Sequence, residues 1–160
     1  VSMVIDRIYK YSKPFLEVER MEKDSFDLER FLKAQELDYE DALAEMKSGH
    51  KRSHWIWYIF PQIQGLGYSE MSQFYGIKDK EEAREYMKHP VLGPRLIEIS
   101  NVLLQLTSND AGDVMGYPDD MKLKSSMTLF SFVSDDLVFQ KVLDKFFDGE
   151  KDEFTVEAMK

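Results

Sequence analysis

Cysteine is absent from the 160-residue chain, which excludes disulfide scaffolding, thiolate catalysis and cysteine-ligated zinc or iron–sulfur centres. Long apolar runs are missing as well. No stretch nears the roughly eighteen residues of a membrane-spanning helix, and no basic-then-apolar leader precedes a small-residue cleavage site. A cytoplasmic protein without membrane association is therefore expected. Basic charge is scarce: Lys and Arg number 21 against 30 Asp and Glu, for a formal net charge of −9. That balance argues against a surface that coats nucleic acid, because affinity for phosphate backbones comes from clustered Lys and Arg.

Acidic residues are themselves missing from one stretch. Residues 47–69 hold Lys47, His50, Lys51, Arg52 and His54 but no Asp or Glu, and both tryptophans follow at Trp55 and Trp57. A small anion could be held there on an otherwise acidic protein. With 43% hydrophobic and 13% aromatic residues, the chain has the composition of a packed globular domain, and its length suits one.

Helix signals dominate the pattern. Residues 1–23 lack a clean period and read as an N-terminal extension, followed by a single helical domain over 24–160. Ser25 is a plausible N-cap. Phe26, Leu28, Phe31 and Leu32, then Tyr39, Ala42, Leu43 and Met46, predict two short helices or one bent near Leu37, ending at Gly49. Trp55 to Phe60 is too short a run to assign to helix or strand. Gln62 to Gly67 reads as a loop. Asp79 with Glu82 resembles a capping box for a helix over 80–88, closed by His89-Pro90. Leu96 to Leu106 predicts the central helix, Ser108 to Gly116 a connection, Met121 to Phe132 a buried segment, and Leu137 to Phe147 a last helix before Gly149. The fold class that follows is all-α, mainly α.

Chemistry-bearing residues gather in three places. His54 has the pKa range for acid–base work, though a histidine hydrogen-bonded at a core edge is the more ordinary reading of its position. Lys51 and Ser53 stand beside it, and Trp55 and Trp57 could serve one as core and the other as a stacking wall. The loop Gln62, Gly65, Gly67, Ser69 offers amide, hydroxyl and closely approachable backbone, but no phosphate-loop or dinucleotide motif is present. Lys122, Lys124, Ser125, Ser126 and Thr128 form a second gathering of donors, with solvated lysines and back-bonded hydroxyls as the structural alternative. Arg95 is a weaker candidate, with Glu98 as a local ion-pair partner. His50 and His54 have i, i+4 spacing but no metal-site pattern around them, so neither a metal nor a cofactor is expected.

The segments LERFLKAQ (28–35), YEDALAEMKSGHKRSHWIWYIFPQIQGLGYS (39–69), YGIKDKEEAREYMKHPVLGPRL (75–96) and KLKSSMTLF (122–130) resemble, in order and spacing, the signatures of the domain-of-unknown-function family 1810 (DUF1810), some bacterial members of which are labelled calpastatin. The resemblance spans roughly residues 26–159. It implies a compact, mainly helical, bacterial-type domain of no established activity, with relatives joined to macro domains that handle ADP-ribose. The family's motif positions fall here on Lys51, Ser53, His54, Trp55, Pro61, Gln62, Gly65, Gly67, Ser69, Tyr75, His89, Pro90, Gly93, Arg95, Lys122, Ser125, Ser126, Thr128 and Phe130. Ile56 and Tyr58 replace Met and Phe and keep their bulk.

A helical core has little use for Lys-x-Ser-His, Pro-Gln-x-x-Gly-x-Gly and Lys-x-Ser-Ser-x-Thr. These three are expected to converge on one polar pocket for a small anion, nucleotide-derived or ADP-ribose-like, with His54 as acid–base group if a glycosidic or phosphoester bond is hydrolysed. The alternative is a non-catalytic protein-interaction module that uses an aromatic surface. Oligomeric state is not legible.

Overall fold

A helix of twenty residues opens the part of the chain, residues 26–160, that the computed structural model describes. The expected extension over 1–23 and the Ser25 cap lie outside the described residues. Helix α1 (Glu29–Ser48) buries Phe31, Gln35, Tyr39, Ala42 and Met46 along one face, and Gly49 ends it with a left-handed φ of +84°. The expectation of two helices or a bend at Leu37 gives way to one unbroken element. Leu37 is 81% exposed, so the lapse in the apolar pattern there is only the solvent face.

The ambiguous aromatic run is a single helical turn, α2 (Ile56–Ile59), with Trp55, Ile56, Tyr58, Ile59 and Phe60 all buried. A short helix, α3 (Glu70–Tyr75), follows the loop and is capped by Ser69, whose side chain accepts from Ser72 N. Asp79 caps α4 (Lys80–Lys88) by accepting from Glu82 N at 2.9 Å. The Glu82 carboxylate reaches back to Lys78 N at 2.7 Å, one residue beyond the usual box.

His89 Nδ1 then accepts from Val91 N and Leu92 N at the entrance to α5 (Leu92–Leu104). Gly93 in this turn is a necessity of packing, since a methyl group there would run into the Met87 carbonyl. Where a plain connection was expected, Asp110 caps the five-residue α6 (Ala111–Met115). The chain continues through α7 (Asp119–Val133), α8 (Val138–Phe147) and α9 (Glu153–Ala158). The described residues are thus all-helical, apart from one isolated parallel bridge between Ile63 and Ile77.

Two helices share the centre. Helix α5 packs against α1, α4 and α8, while α7 packs against α2, α4, α6, α8 and α9. A chain of aromatic contacts crosses the core from α1 to α8, with Phe31 to Tyr86 at 5.1 Å, Tyr86 to Phe130 at 5.3 Å and Phe130 to Phe139 at 5.9 Å. Among the described residues, no helix is long and apolar enough to cross a membrane.

One buried ion pair fixes the frame around the later site. Arg30 on α1 meets Glu82 at 2.9 Å and also donates to the carbonyls of Phe74 and Gly76. A single guanidinium therefore satisfies backbone that α3 and the following turn leave unpaired. This ties the α3 end to the body of the domain.

Candidate functional site

The loop after Pro61 is held at both edges by backbone. Ile77 N donates to Gln62 O and Gln64 N donates to Ile77 O, each at 2.8 Å. Gly65 adopts φ +104° with Phe154 of α9 lying against it. Gly67 sits so close to Ser72 that an added Cβ would stand 2.6 Å from Ser72 Oγ. Glycine at 67 is thus a close-approach residue, and the loop and α3 form one surface.

Facing that surface is the first half of α7. Between them runs a cleft of about 200 Å³ lined by Gln62, Leu66, Gly67, Ser72, Pro118, Met121, Lys122, Ser125 and Asp152. A neighbouring hollow of about 10 Å³ shares Gln62, Leu66, Gly67 and Ser72 and is lined further by Trp57 and Tyr75. The Lys122 ammonium lies 5.0 Å from the centre of the Trp57 ring, with Asp119 Oδ1 at 3.6 Å. The indole nitrogen of Trp57 is buried without a partner among the described residues.

Asp152 reaches the cleft from the start of α9. Its N–H donates to Thr128 Oγ1 at 2.9 Å, and its Oδ2 accepts from Thr155 N and Thr155 Oγ1. Thr128 itself donates to Lys124 O, so it positions Asp152 rather than lining the cleft. Ser125 Oγ donates to Met121 O at 3.1 Å and keeps its lone pairs available. The Ser69 and Ser72 hydroxyls lie 2.9 Å apart and share one hydrogen bond, so the pair retains one further proton.

The structure therefore brings Trp57, Gln62, Gly67, Lys122 and Ser125 together and leaves the other expected residues out. Lys51 is buried under the Trp55 ring at 4.8 Å, with its ammonium 2.8 Å from Asp119 and bonded to the Ser53 carbonyl. Ser53 and Trp55 are bound to Glu45 instead of facing a pocket. Glu45 Oε1 accepts from Arg52 N at 2.7 Å, Ser53 N at 2.9 Å and Trp55 Nε1 at 3.0 Å, and Oε2 accepts from Ser53 Oγ at 2.6 Å. Partial burial works against its charge, yet the Ser53 hydroxyl and the other donors outweigh it and hold the carboxyl at about 2. The Lys-x-Ser-His-Trp segment is a clasp onto α1.

His54 is exposed and does not line the cleft; its carbonyl accepts from the Tyr58 hydroxyl. Ser69 is a helix cap, and Gly65 stands at the loop's outer edge. Lys124 pairs with Glu150 at 3.5 Å beside a separate open hollow, and Ser126 is wholly buried without a hydrogen-bond partner among the described residues. Arg95 stacks over Tyr39 at 5.0 Å and donates to Gln35 Oε1, while Glu98 takes the Tyr39 hydroxyl. The expected Arg95–Glu98 pairing is replaced by this arrangement. The convergence of all three motifs is corrected to that of two, with Trp57 as the only contribution of the aromatic run.

The geometry describes an all-helical domain with a small mixed-polarity cleft at the meeting of a glycine loop and a central helix. The chain belongs to the family described as "Protein of unknown function (DUF1810)", which matches residues 25–159. It is also similar to the conserved hypothetical protein Rv1873 from Mycobacterium tuberculosis, whose crystal structure superposes with a TM-score of 0.83 at 42% identity, covering 85% of this chain and 98% of that one. Comparison with curated proteins gives no match.

Proposed function

We propose that this domain binds a small anionic molecule in the cleft between the 62–67 loop and α7, with the anion at Lys122. The observation that supports this reading is the meeting of Gln62 and Gly67 with Lys122 and Ser125, some sixty residues later in the chain, in one cleft, with Trp57 lining the neighbouring hollow. Lys122 keeps donors to spare beyond its 3.6 Å contact with Asp119, which Lys51 approaches more closely from the other side at 2.8 Å. Asp119 is thus shared between two ammonium groups, of which Lys122 is the one that lines the cleft.

The ligand is nucleotide-derived or of similar size, and a cytoplasmic setting is part of the proposal. At about 200 Å³, the cleft takes one part of an ADP-ribose-like molecule rather than all of it, since drug-sized ligands occupy roughly 300–1,000 Å³. Binding is proposed without catalysis, because His54 lines no part of the cleft. A thermal-shift series with nucleoside phosphates and ADP-ribose tests the reading. A ligand at a hundredfold excess over Kd adds about 2.7 kcal/mol, or roughly 5–10 °C for a domain of this size. That shift is expected for wild type and lost in Lys122→Ala. No shift with any phosphate-bearing compound would defeat the proposal.

A second reading draws on the exposed aromatics. Tyr68 is 91% exposed and Tyr117 86%, and Phe74 and Phe154 are also open to solvent. Such a rim suits a protein-interaction module, and a pull of binding toward Tyr68 and Tyr117 instead of Lys122 would favour it.

A further inference from the structure

The cleft's charge is not of one sign, and this narrows what it can hold. The inference rests on the anion-binding reading above and deepens it. Lys122 supplies an ammonium at the Trp57 side, whereas the acidic residue Asp152 lines the same cleft and also the open hollow beside Lys124. Of the Asp152 carboxylate's two oxygens, Oδ2 is occupied by both donors of Thr155. Oδ1 accepts no hydrogen bond among the described residues. A simple anion such as phosphate or a short carboxylate gains from Lys122 and is repelled by Asp152. A ligand that also carries hydrogen-bond donors gains from both.

The neutral side chains decide which donors these are. Ser72 can give or take a proton, because its hydroxyl and that of Ser69 lie 2.9 Å apart and either can donate to the other. Ser125 has lone pairs to offer, because its proton goes to Met121 O. The Gln62 amide donates one N–H to Phe60 O at 3.1 Å and so retains one N–H and its carbonyl oxygen. Hydroxyl groups, which both donate and accept, match such a set. An ammonium donates only and would leave the second N–H of Gln62 without an acceptor, at the cost attached to burying an unpaired polar group.

We infer that the ligand is a phosphorylated polyol of pentose size, its phosphate at Lys122 and its vicinal hydroxyls at Asp152, Ser72 and Ser125. Leu66 and Met121 cover the carbon skeleton, and the small volume stops the cleft at about one sugar ring. Asp152 is then the residue that separates a sugar phosphate from free phosphate.

The test is calorimetric titration of the full chain with ribose 5-phosphate, inorganic phosphate and alanine, using wild type, Lys122→Gln and Asp152→Ser. Serine keeps the cap of α9 while withdrawing the second oxygen, and circular dichroism of each variant confirms the helical fold. Ribose 5-phosphate is expected to bind wild type about tenfold tighter than phosphate, the size of one charge-assisted hydrogen bond. Asp152→Ser should weaken ribose 5-phosphate and, by removing the like charge, leave phosphate bound as well or better, so that the preference between the two is lost, and Lys122→Gln should weaken both. Equal affinity for the two phosphates, no effect of Asp152→Ser, or tighter binding of zwitterionic alanine would overturn the polyol assignment and leave the anion cleft standing. Absence of heat with either phosphate would remove the underlying reading as well.

Discussion

Replacing Glu45 by Gln removes one charge and should expose how the tryptophan segment is held. The Glu45 carboxylate collects four donors from residues 52–55, three on Oε1 and one on Oε2. Glutamine retains one acceptor oxygen of similar reach but turns an amide NH2 toward the Ser53 hydroxyl. In the folded protein the carboxyl lies at about 2 instead of its ordinary 4.5, a difference worth roughly 3 kcal/mol for a fully shielded group. Glu45 is partly exposed, and solvent screening reduces this to about 1–2 kcal/mol. A folded-state pKa below the unfolded one means stability that is complete above pH 4.5 and lost as pH falls toward 2. Urea unfolding of wild type and Glu45→Gln at pH 7, 5, 4 and 3 isolates it, because the other carboxylates titrate alike in both proteins. Wild type should lead by about 1–2 kcal/mol at pH 7 and pH 5, with the lead shrinking steadily below pH 4.5. Equal stability at pH 7, or a lead that persists undiminished at pH 3, would refute the clasp.

Further outcomes follow from the same contacts. Arg30→Met leaves Glu82, 2% exposed, as a buried carboxylate without its 2.9 Å partner; a loss of about 3–5 kcal/mol is expected in denaturant unfolding, with partial recovery in Arg30→Met/Glu82→Gln. Gly93→Ala forces a methyl into the Met87 carbonyl and should lower stability by roughly 3 kcal/mol or more or abolish soluble expression, because backbone on both sides cannot yield. His54→Ala, at an exposed position outside the cleft, should change neither thermal midpoint nor ligand affinity, with any stability effect within about 0.5 kcal/mol.

Much of the architecture was readable from local chemistry. Asp79, Gly49 and the His89-Pro90 pair mark helix ends where the structure has them, and Leu96, Ile99 and Leu103 of α5 and Val138, Val142, Leu143 and Phe146 of α8 lie on the buried faces, whereas Leu137 is exposed ahead of α8. Helix α3 was not readable, because it buries none of its residues and so leaves no apolar period. Helix α6 lay hidden in a polar stretch whose Asp110 cap looked like a loop residue. For the cleft, chemical type singles out Gln62, Gly67, Lys122 and Ser125, which line it, but does not say which donors are already taken. Lys51, Ser53 and Trp55 look like ligand residues until Asp119 and Glu45 are seen beside them, and their partners share no sequence period with them. Ser72 and Asp152 were missed because each also fits a helix-start pattern, Asp152 as cap and Ser72 as the third residue after Ser69.

The measurement that bears most directly on the cleft is amide chemical-shift mapping of the full chain during titration with adenosine monophosphate, repeated on Lys122→Ala. The account predicts a saturable response at Gly67, Ser72, Lys122, Ser125 and Asp152, accompanied by the Trp57 indole and not by Trp55, and abolished in the variant. A response centred on His54 or on Tyr68 and Tyr117, or none that saturates at millimolar ligand, would contradict it.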